Sequence, residues 1–449
     1  MLLRFSSSSL FVFSGLLFLC SCMPLQYYQE IAPAKQMMAS HNYQDAKKFL
    51  ENNKFLHKKR NAFLYEVEMG RIYQLLGEYD SSNVYFNKAD ALLGDWKHIR
   101  DRDVRGNTVF EENGFASVSG GAGGLVEPRL MEYRSSDFEK VLIHYFKALN
   151  YFYLHKYEDA LVEARRLDLL LKNLNDKHKN SNQQEYLSDG SALVLIGLIY
   201  ETNKDYNNAF IAYRNAYEVF NKNSSSALFG YTPPLQLKYD LLKTAYLSGF
   251  ADEVTYYEKE FNTKFTYQDN KNGDLILFWE NGFAPVKTER NIYTVALGQR
   301  ICIPEYQVMS GNYNYCMVRA DSVLTFFPET LKDINYLAIT LENQRFIREA
   351  NTASADITTI GAIARDIMNA QEKKPAKKQA PVQVIYHADT RNWQTLPSMI
   401  SYCRIPLHEG ENKIKVLFGD GFDNYTDSTS LFIRASGQTQ MLSVQSFKK

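Results

Sequence analysis

The sequence predicts an α+β protein: an N-terminal solenoid of paired helices followed by an antiparallel β-rich, sandwich-like domain that carries a helical insertion. Three observations predict it. A short unit, Tyr-x-x-Ala or nearly so, recurs at Tyr43/Ala46, Tyr79/Ser82, Tyr157/Ala160 and Tyr206/Ala209. From about Asp274 the hydrophobic period changes from helical to short apolar or alternating runs bounded by turn residues. The chain of 449 residues is long enough for two or three domains at roughly 150 residues each.

Composition narrows the class further. Lys plus Arg (51) balances Asp plus Glu (51), so no global field recruits nucleic acid, and none is expected as a partner. A hydrophobic fraction of 45% with 23% charged excludes a largely disordered chain and a polytopic membrane protein. The 31 tyrosines suit both wet packing surfaces and recognition faces.

The N-terminal stretch predicts where the protein works. Arg4 precedes the apolar run Leu10 to Leu19, which is too short to span a bilayer and reads as the core of a secretory signal over residues 1–21. Leu19-Cys20-Ser21-Cys22 looks like a bacterial lipobox, with an aliphatic residue at −3 and a small one at −1 of Cys22, so Cys22 is the expected lipidation site. Cys20 fits less well, because Leu19 would then sit at −1. Each buried acyl methylene contributes about 0.8 kcal/mol, so several chains tether the protein without spanning the membrane. The expected location is the cell outer membrane, lipid-anchored and facing the periplasm; the alternative is a plain secreted protein.

The repeat register extends beyond the tyrosines. Gly70 and Tyr73, Ala148 and Tyr151, and Gly197 and Tyr200 lie nine and six residues before the tyrosine of units two to four. Phe86 and Ala89, Ala164 and Leu167, and Tyr213 and Ala216 lie seven and ten residues after it. This resembles the tetratricopeptide repeat, in which a small residue lets two antiparallel helices approach and aromatics fill the gaps between neighbours. A degenerate fifth pair is expected over Leu235 to Phe261, closing a helical domain of residues 22–265. Tyr43 and Tyr79 are 36 apart, but the next intervals are 78 and 49, so insertions are expected near residues 100–134 and 173–184. The first holds Ser119-Gly-Gly-Ala-Gly-Gly124, which lacks the Gly-Lys-Ser/Thr ending of a phosphate loop and reads as a flexible loop.

Such solenoids bind peptides or helices along the concave surface of their first helices. Counting in register puts Val67, Arg71 and Gln74, then Tyr145, Leu149 and Phe152, then Val194, Leu198 and Glu201 on that face. Arg71, Gln74, Tyr145, Leu149, Phe152, Leu198 and Glu201 are therefore the candidate partner-binding residues; the alternative is that they pack against neighbouring helices or inserted loops.

In the second domain, residues 266–449, strands are expected at Leu275 to Trp279, Tyr293 to Leu297, Tyr336 to Leu341, Gln383 to His387, Met399 to Cys403, Lys413 to Phe418 and Ser430 to Arg434. One helix is expected over about Ile357 to Glu372, followed by a basic run, Lys373 to Lys378, that reads as a solvated loop. Asp389, Arg391 and Trp393 alternate within a short segment ending at Pro397. They read either as a structural unit, with Arg391 paired to a carboxylate and Trp393 buried, or as a recognition patch.

Glu280-Asn-Gly-Phe-Ala-Pro-Val-Lys287, Asp389-Thr-Arg-Asn-Trp-Gln-Thr-Leu-Pro397 and Arg404-Ile-Pro-Leu-His-Glu-Gly410 look like signature segments of an uncharacterised family of bacterial envelope lipoproteins. That family has tetratricopeptide repeats and a C-terminal β-rich domain. Phe138 to Tyr151 and Tyr157 to Arg166 look like it as well, so the resemblance covers most of the mature chain. It implies protein or peptide partners in envelope assembly, through a gene neighbourhood that includes a lipoprotein activator of peptidoglycan synthases. It supplies no catalytic residues.

Enzyme signatures are lacking. The eight histidines form no HExxH motif, and there is no GxSxG elbow and no Walker motif. Asp420 to Asp427 places its acids outside calcium-loop spacing and reads as a hairpin turn. Cys302, Cys316 and Cys403 carry no metal-ligand spacing; they allow one disulfide or read as buried thiols. No cofactor, metal or catalytic residue is therefore expected. The sequence reading is a non-enzymatic, lipid-anchored periplasmic scaffold. The alternatives are an envelope enzyme or glycan-binding protein acting through the β domain, with carboxylates such as Glu280 and Asp389, and an accessory factor of a secretion or surface-appendage system.

Overall fold

The tyrosine register sets where helices begin. The structure, a computed structural model, describes residues 26–93, 128–178, 189–224, 232–294, 299–321, 324–355 and 387–448. Each repeat tyrosine opens the second helix of a pair. The pairs are α1 (Tyr27–Ala39) with α2 (Tyr43–Glu51), α3 (Ala62–Leu75) with α4 (Tyr79–Leu92), α5 (Asp137–Tyr153) with α6 (Tyr157–His178), and α7 (Gly190–Thr202) with α8 (Tyr206–Ser224). A fifth pair joins α9 (Leu235–Leu247) to α10 (Ala251–Glu260). Two residues before each tyrosine the chain reverses through the left-handed region, at His41, Gly77, His155 and Lys204. There the turn satisfies carbonyls at the end of the first helix: Gly77 N–H donates to Gln74 at 3.0 Å and Glu78 N–H to Tyr73 at 2.9 Å.

Close helix approach explains the small residue of the register. A Cβ on Gly70 would lie 2.6 Å from the Phe86 ring, and one on Gly197 2.4 Å from Tyr213, the aromatic of the same repeat. Gly70→Ala is expected to overpack this contact and cost about 1–3 kcal/mol, read as a lower denaturant midpoint. An unchanged midpoint would mean that Phe86 moves aside freely.

Buried charge also laces consecutive repeats. His144 on α5 lies 2.9 Å from Glu163 of α6 and 3.5 Å from Asp90 of α4, and fully buried Lys147 lies 3.1 Å from Glu163. Burial disfavours the imidazolium, but the two carboxylates outweigh it and raise the His144 pKa above its ordinary 6.5. A raised folded-state pKa gives stability that is complete below the unfolded value and lost as pH rises through the folded one. Stability is therefore expected to fall as the pH climbs above about 6.5, with that component missing in His144→Gln. Equal pH slopes for the two proteins would refute the assignment.

The β domain comprises β1 (Asp274–Asn281), β2 (Val286–Thr294), β3 (Gln299–Gln307), β4 (Tyr315–Ala320), β5 (Leu324–Phe326), β6 (Glu329–Asp333), α11 (Ile334–Ala355), β7 (Met399–Pro406), β8 (Glu411–Gly421), β9 (Asn424–Arg434) and β10 (Gln440–Ser446). Two four-stranded sheets, β10-β1-β7-β6 and β5-β4-β8-β9, stack as a sandwich, and β2 and β3 form a separate hairpin. Its described pairings are antiparallel except β1 with β10. Leu275, Leu277, Trp279, Cys403 and Ile405 face Val318, Ile414, Val416 and Phe418 of the other sheet. Ile276, Phe278, Ile400 and Tyr402, on the opposite face, belong to the same core as the solenoid helices. The central sheet is thus covered on both sides, which is why β1 is a continuous apolar run without alternation.

Several expectations are corrected or fall elsewhere. Tyr336 to Leu341, expected as a strand, is the start of α11. The Asp333 carboxylate accepts the Tyr336 N–H at 2.8 Å, and Ile334, Leu337, Ala338 and Leu341 recur at helical spacing against the core. Part of the stretch expected as an insertion at 173–184 is helical, because α6 continues to His178. Cys22, the glycine-rich run 119–124, the helix expected at 357–372, the basic run after it and most of the strand expected at 383–387 lie outside the described residues. No helix of the described residues is long and apolar enough to cross a membrane. Cys302, Cys316 and Cys403 are free and buried.

Candidate functional site

The inward face of the solenoid is filled by the protein's own β domain. None of Arg71, Gln74, Tyr145, Leu149, Phe152, Leu198 and Glu201 is more than 7% exposed. The expectation that they meet an external partner is corrected: register counting put them on the inner face, and that face is occupied within the chain. Arg71 pairs with Glu280 at the end of β1 and lies 4.6 Å over the Phe146 ring. Gln74 donates to Asn150 at 2.7 Å, and Tyr145 packs edge-on against Phe278 of β1, 6.5 Å between centroids. Leu149 and Leu198 sit in the common core, and Phe152 packs on Tyr157 within its own repeat.

Strand alternation aims the β-domain partners. On β1, Ile276, Phe278 and Glu280 share the face toward the helices, and on β7 so do Ile400, Tyr402 and Arg404, with Ile276 directly opposite Arg404. Arg404 thereby meets three carboxylates: Glu201 of α7 at 2.8 Å, Asp240 of α9 at 3.0 Å and Asp274 of β1 at 3.0 Å. Lys243 adds a contact of 2.9 Å to Glu201, and Tyr213 donates to the same carboxylate at 2.7 Å. Against the upward push of burial, Arg404 and Lys243 hold the Glu201 carboxyl below its usual range. For Asp240 burial wins, and its carboxyl is raised despite Arg404.

The segment from Asp389 to Ser398 forms a second clamp, on repeats two and three. Arg391 donates to both Asp389 oxygens, at 2.8 and 2.6 Å, to Asn61 at 2.8 Å, and to the carbonyls of Arg60 and Met131. Its guanidinium lies 5.5 Å over the Tyr133 ring. Trp393 is fully buried against the stacked pair Phe86 and Phe146, at centroid distances of 5.8 and 5.9 Å. Helix carboxylates then satisfy the loop backbone. Glu139 accepts from Trp393 N–H at 2.8 Å, and Glu68 accepts from Gln394 N–H at 3.0 Å and Thr395 N–H at 3.2 Å. Asp389, Arg391 and Trp393 are therefore an interdomain clamp rather than an exposed recognition patch. At the far end, Glu329 of β6 caps α9, accepting the N–H groups of Leu235 and Gln236 at 2.7 and 2.9 Å, and Lys332 pairs with Asp189, which caps α7.

Sequence reasoning missed Glu68, Glu139, Asp240 and Lys243. The available signal was a charge on the inner register of a helix whose neighbours are apolar. Glu280 and Asp389, considered together as carboxylates for hydrolysis, are each held by a different guanidinium, Arg71 and Arg391. The polar cavity beside α6, α7 and α8, about 300 Å³ and lined by Asp168, Lys172, Asp189, Glu218 and Lys222, belongs to the solenoid and not to the β domain.

Among the described residues, two open surfaces carry an ordered pattern. Val84, Val162 and Ile211 each lie five residues after the repeat tyrosine, on α4, α6 and α8, and are 51%, 43% and 43% exposed. On the outer face of sheet β5-β4-β8-β9, exposed Arg319 stands directly opposite exposed Lys415, with exposed Lys413 two residues along.

These features define the class: a helical-repeat solenoid of tetratricopeptide type whose concave face is closed by a C-terminal β sandwich. No protein-family profile matches the chain, and no curated protein is similar to it in sequence. Solved structures similar to it include MamA from Desulfovibrio magneticus RS-1, at 13% identity and TM-score 0.30 over 52% of this chain and 90% of that one. The apo form of RapI is 16% identical with TM-score 0.34 over 52% of each chain, so the match spans about half of RapI. Kinesin light chain TPR-like repeats from Podosopora anserina are 12% identical with TM-score 0.33 over 52% of this chain and 92% of that one. The class rests on the chain's own helix pairs and sheet contacts.

Proposed function

We propose that the protein is a lipid-anchored scaffold of the bacterial outer membrane, facing the periplasm, that holds a protein partner of envelope assembly on the outer side of its solenoid. The observation that carries this reading is the row formed by Val84, Val162 and Ile211. Single exposed apolar residues are ordinary, but the same position of three successive repeats lines up along a solenoid and offers a partner a continuous stripe. The closed concave face adds rigidity, so the stripe is presented by one body. The lipobox-like Leu19-Cys20-Ser21-Cys22 supports the anchor, and tethering raises the effective concentration of partners at the membrane.

Crosslinking in intact cells tests both parts. The wild-type protein is expected to capture one defined partner, and Val162→Glu with Ile211→Glu to lose it while keeping the thermal midpoint. Cys22→Ser is expected to leave the membrane fraction. Undiminished capture by the doubly substituted protein would overturn the docking surface, and membrane retention of Cys22→Ser would overturn the anchor.

A second reading, binding of an acidic envelope glycan through the β domain, is favoured by the facing cations Arg319 and Lys415 with Lys413 and the exposed rings of Tyr315 and Phe432. Like charges directly across a sheet cost stability, which an anionic ligand relieves. Salt-sensitive retention on an acidic polysaccharide, lost in Lys413→Gln/Lys415→Gln, is its expected signature; retention independent of salt and of these lysines would exclude it.

A further inference from the structure

Away from the seam, the β2–β3 hairpin and the chain returning at His387 bring three ligand-type side chains to one point. Cys302 on β3 stands directly opposite Asn291 on β2, and Glu289 lies two residues before Asn291, so the three share one face of the hairpin. His387 closes the group, its Nδ1 lying 3.1 and 3.2 Å from the two Glu289 carboxylate oxygens. One ligand atom from each of Glu289, Cys302 and His387 lies within 4.8 Å of the others. Cys302 is 8% exposed, and the Glu289 and His387 side chains are 14% and 28% exposed, so the point is sheltered but reachable from solvent.

We infer that Glu289, Cys302 and His387 form a binding site for a zinc-type divalent cation. A thiolate, an imidazole and a carboxylate make a mixed set suited to zinc, whereas calcium and magnesium take oxygen ligands. Zinc bonds of about 2.0–2.3 Å in tetrahedral array put ligand atoms roughly 3.3–3.8 Å apart. The three side chains therefore need to close by only about an ångström, which leaves a fourth position for water. Metal-free, the cluster is electrostatically awkward. Burial, and then the Glu289 carboxylate beside it, push the Cys302 thiol up to about 12. A bound dication reverses this: Cys302 loses its proton to solvent and binds as thiolate, while Glu289 gains a counter-charge. Asn291 already contacts the sulfur, with Sγ donating to Oδ1 at 3.0 Å. Turned about its amide, it donates N–H to the thiolate as an outer-shell partner.

The site has a structural consequence. His387 stands two residues before Asp389, where the clamp on repeats two and three begins, so the metal ties the hairpin to the start of that clamp. No sequence motif marks it, because the ligands come from three separate stretches of chain.

The test uses the full-length protein, stripped with a chelator and titrated with cobalt and then zinc. About one equivalent of cobalt is expected to produce a near-ultraviolet thiolate-to-cobalt charge-transfer band that zinc abolishes by displacement. Cys302→Ser is expected to lose the band, and His387→Ala and Glu289→Gln to weaken cobalt affinity about tenfold or more. Zinc should raise the thermal midpoint of the wild type and not that of Cys302→Ser. Glu289→Gln changes no volume, so it keeps the test valid even if another variant fails to fold. The inference is overturned by no band in the wild type, by an equal band in Cys302→Ser, or by undiminished affinity in His387→Ala and Glu289→Gln.

Discussion

Arg404→Ala is expected to destabilise the protein by about 3–5 kcal/mol, the cost of stranding buried charge. The guanidinium is 5% exposed and lies between Glu201, Asp240 and Asp274; without it, Lys243 still meets Glu201 and Asp274, and buried Asp240 loses its ion pair. Arg404→Lys should recover only part of the loss, because one ammonium cannot reproduce contacts of 2.8 to 3.0 Å to carboxylates on α7, α9 and β1. Urea denaturation of the three proteins measures this directly. A loss below about 1 kcal/mol for Arg404→Ala would mean that water enters the seam and solvates the acids.

Trp393→Ala should cost a similar amount, about 3–5 kcal/mol, by a different route. It empties the space beside the stacked Phe86 and Phe146 rings and removes the indole that donates to Thr395 at 3.1 Å. The bonds to Glu139 and Glu68 and the Arg391 contacts then hold the clamp without the indole, and limited proteolysis should cut within residues 389–398 at a protease concentration the wild type resists. Trp393→Phe, keeping most of the apolar volume, is expected to fall between the two. Because Arg404 and Trp393 share no partner, their losses should add within about 0.5 kcal/mol. Proteolysis unchanged from wild type in Trp393→Ala would show that the polar contacts of Arg391, Glu68 and Glu139 fix the segment without the indole.

Repeats were legible because their signal is local. A tyrosine at the start of a helix, a glycine nine residues earlier and an aromatic seven residues later all concern one helix pair, and Gly70 against Phe86 shows the contact that enforces the spacing. The apolar run Tyr336 to Leu341 was not legible in the same way, since a short apolar run suits a strand or a buried helix and only the Asp333 cap decides. The inner face was half legible. Counting in register put Arg71, Gln74, Tyr145, Leu198 and Glu201 on the inner face, and Arg71, Tyr145 and Glu201 do meet the β domain, yet what they face could not be counted. Arg71 and Glu280 are 209 residues apart, and Glu68 and Gln394 are 326 apart. A hint existed on both sides: Glu280 closes the apolar strand Leu275 to Trp279 and Arg404 interrupts that of Met399 to Ile405, and a charge in a strand buried on both faces requires a partner.

Hydrophobic period and short-range sterics were enough to place the helix pairs, their repeat register and the change to strands near Asp274. That the inner face is occupied, that Asp389, Arg391 and Trp393 are a clamp, and that Glu289, Cys302 and His387 converge came from the folded chain. Those outcomes depend on which distant surfaces complement one another in charge and shape, and neither period nor spacing along a chain carries that information.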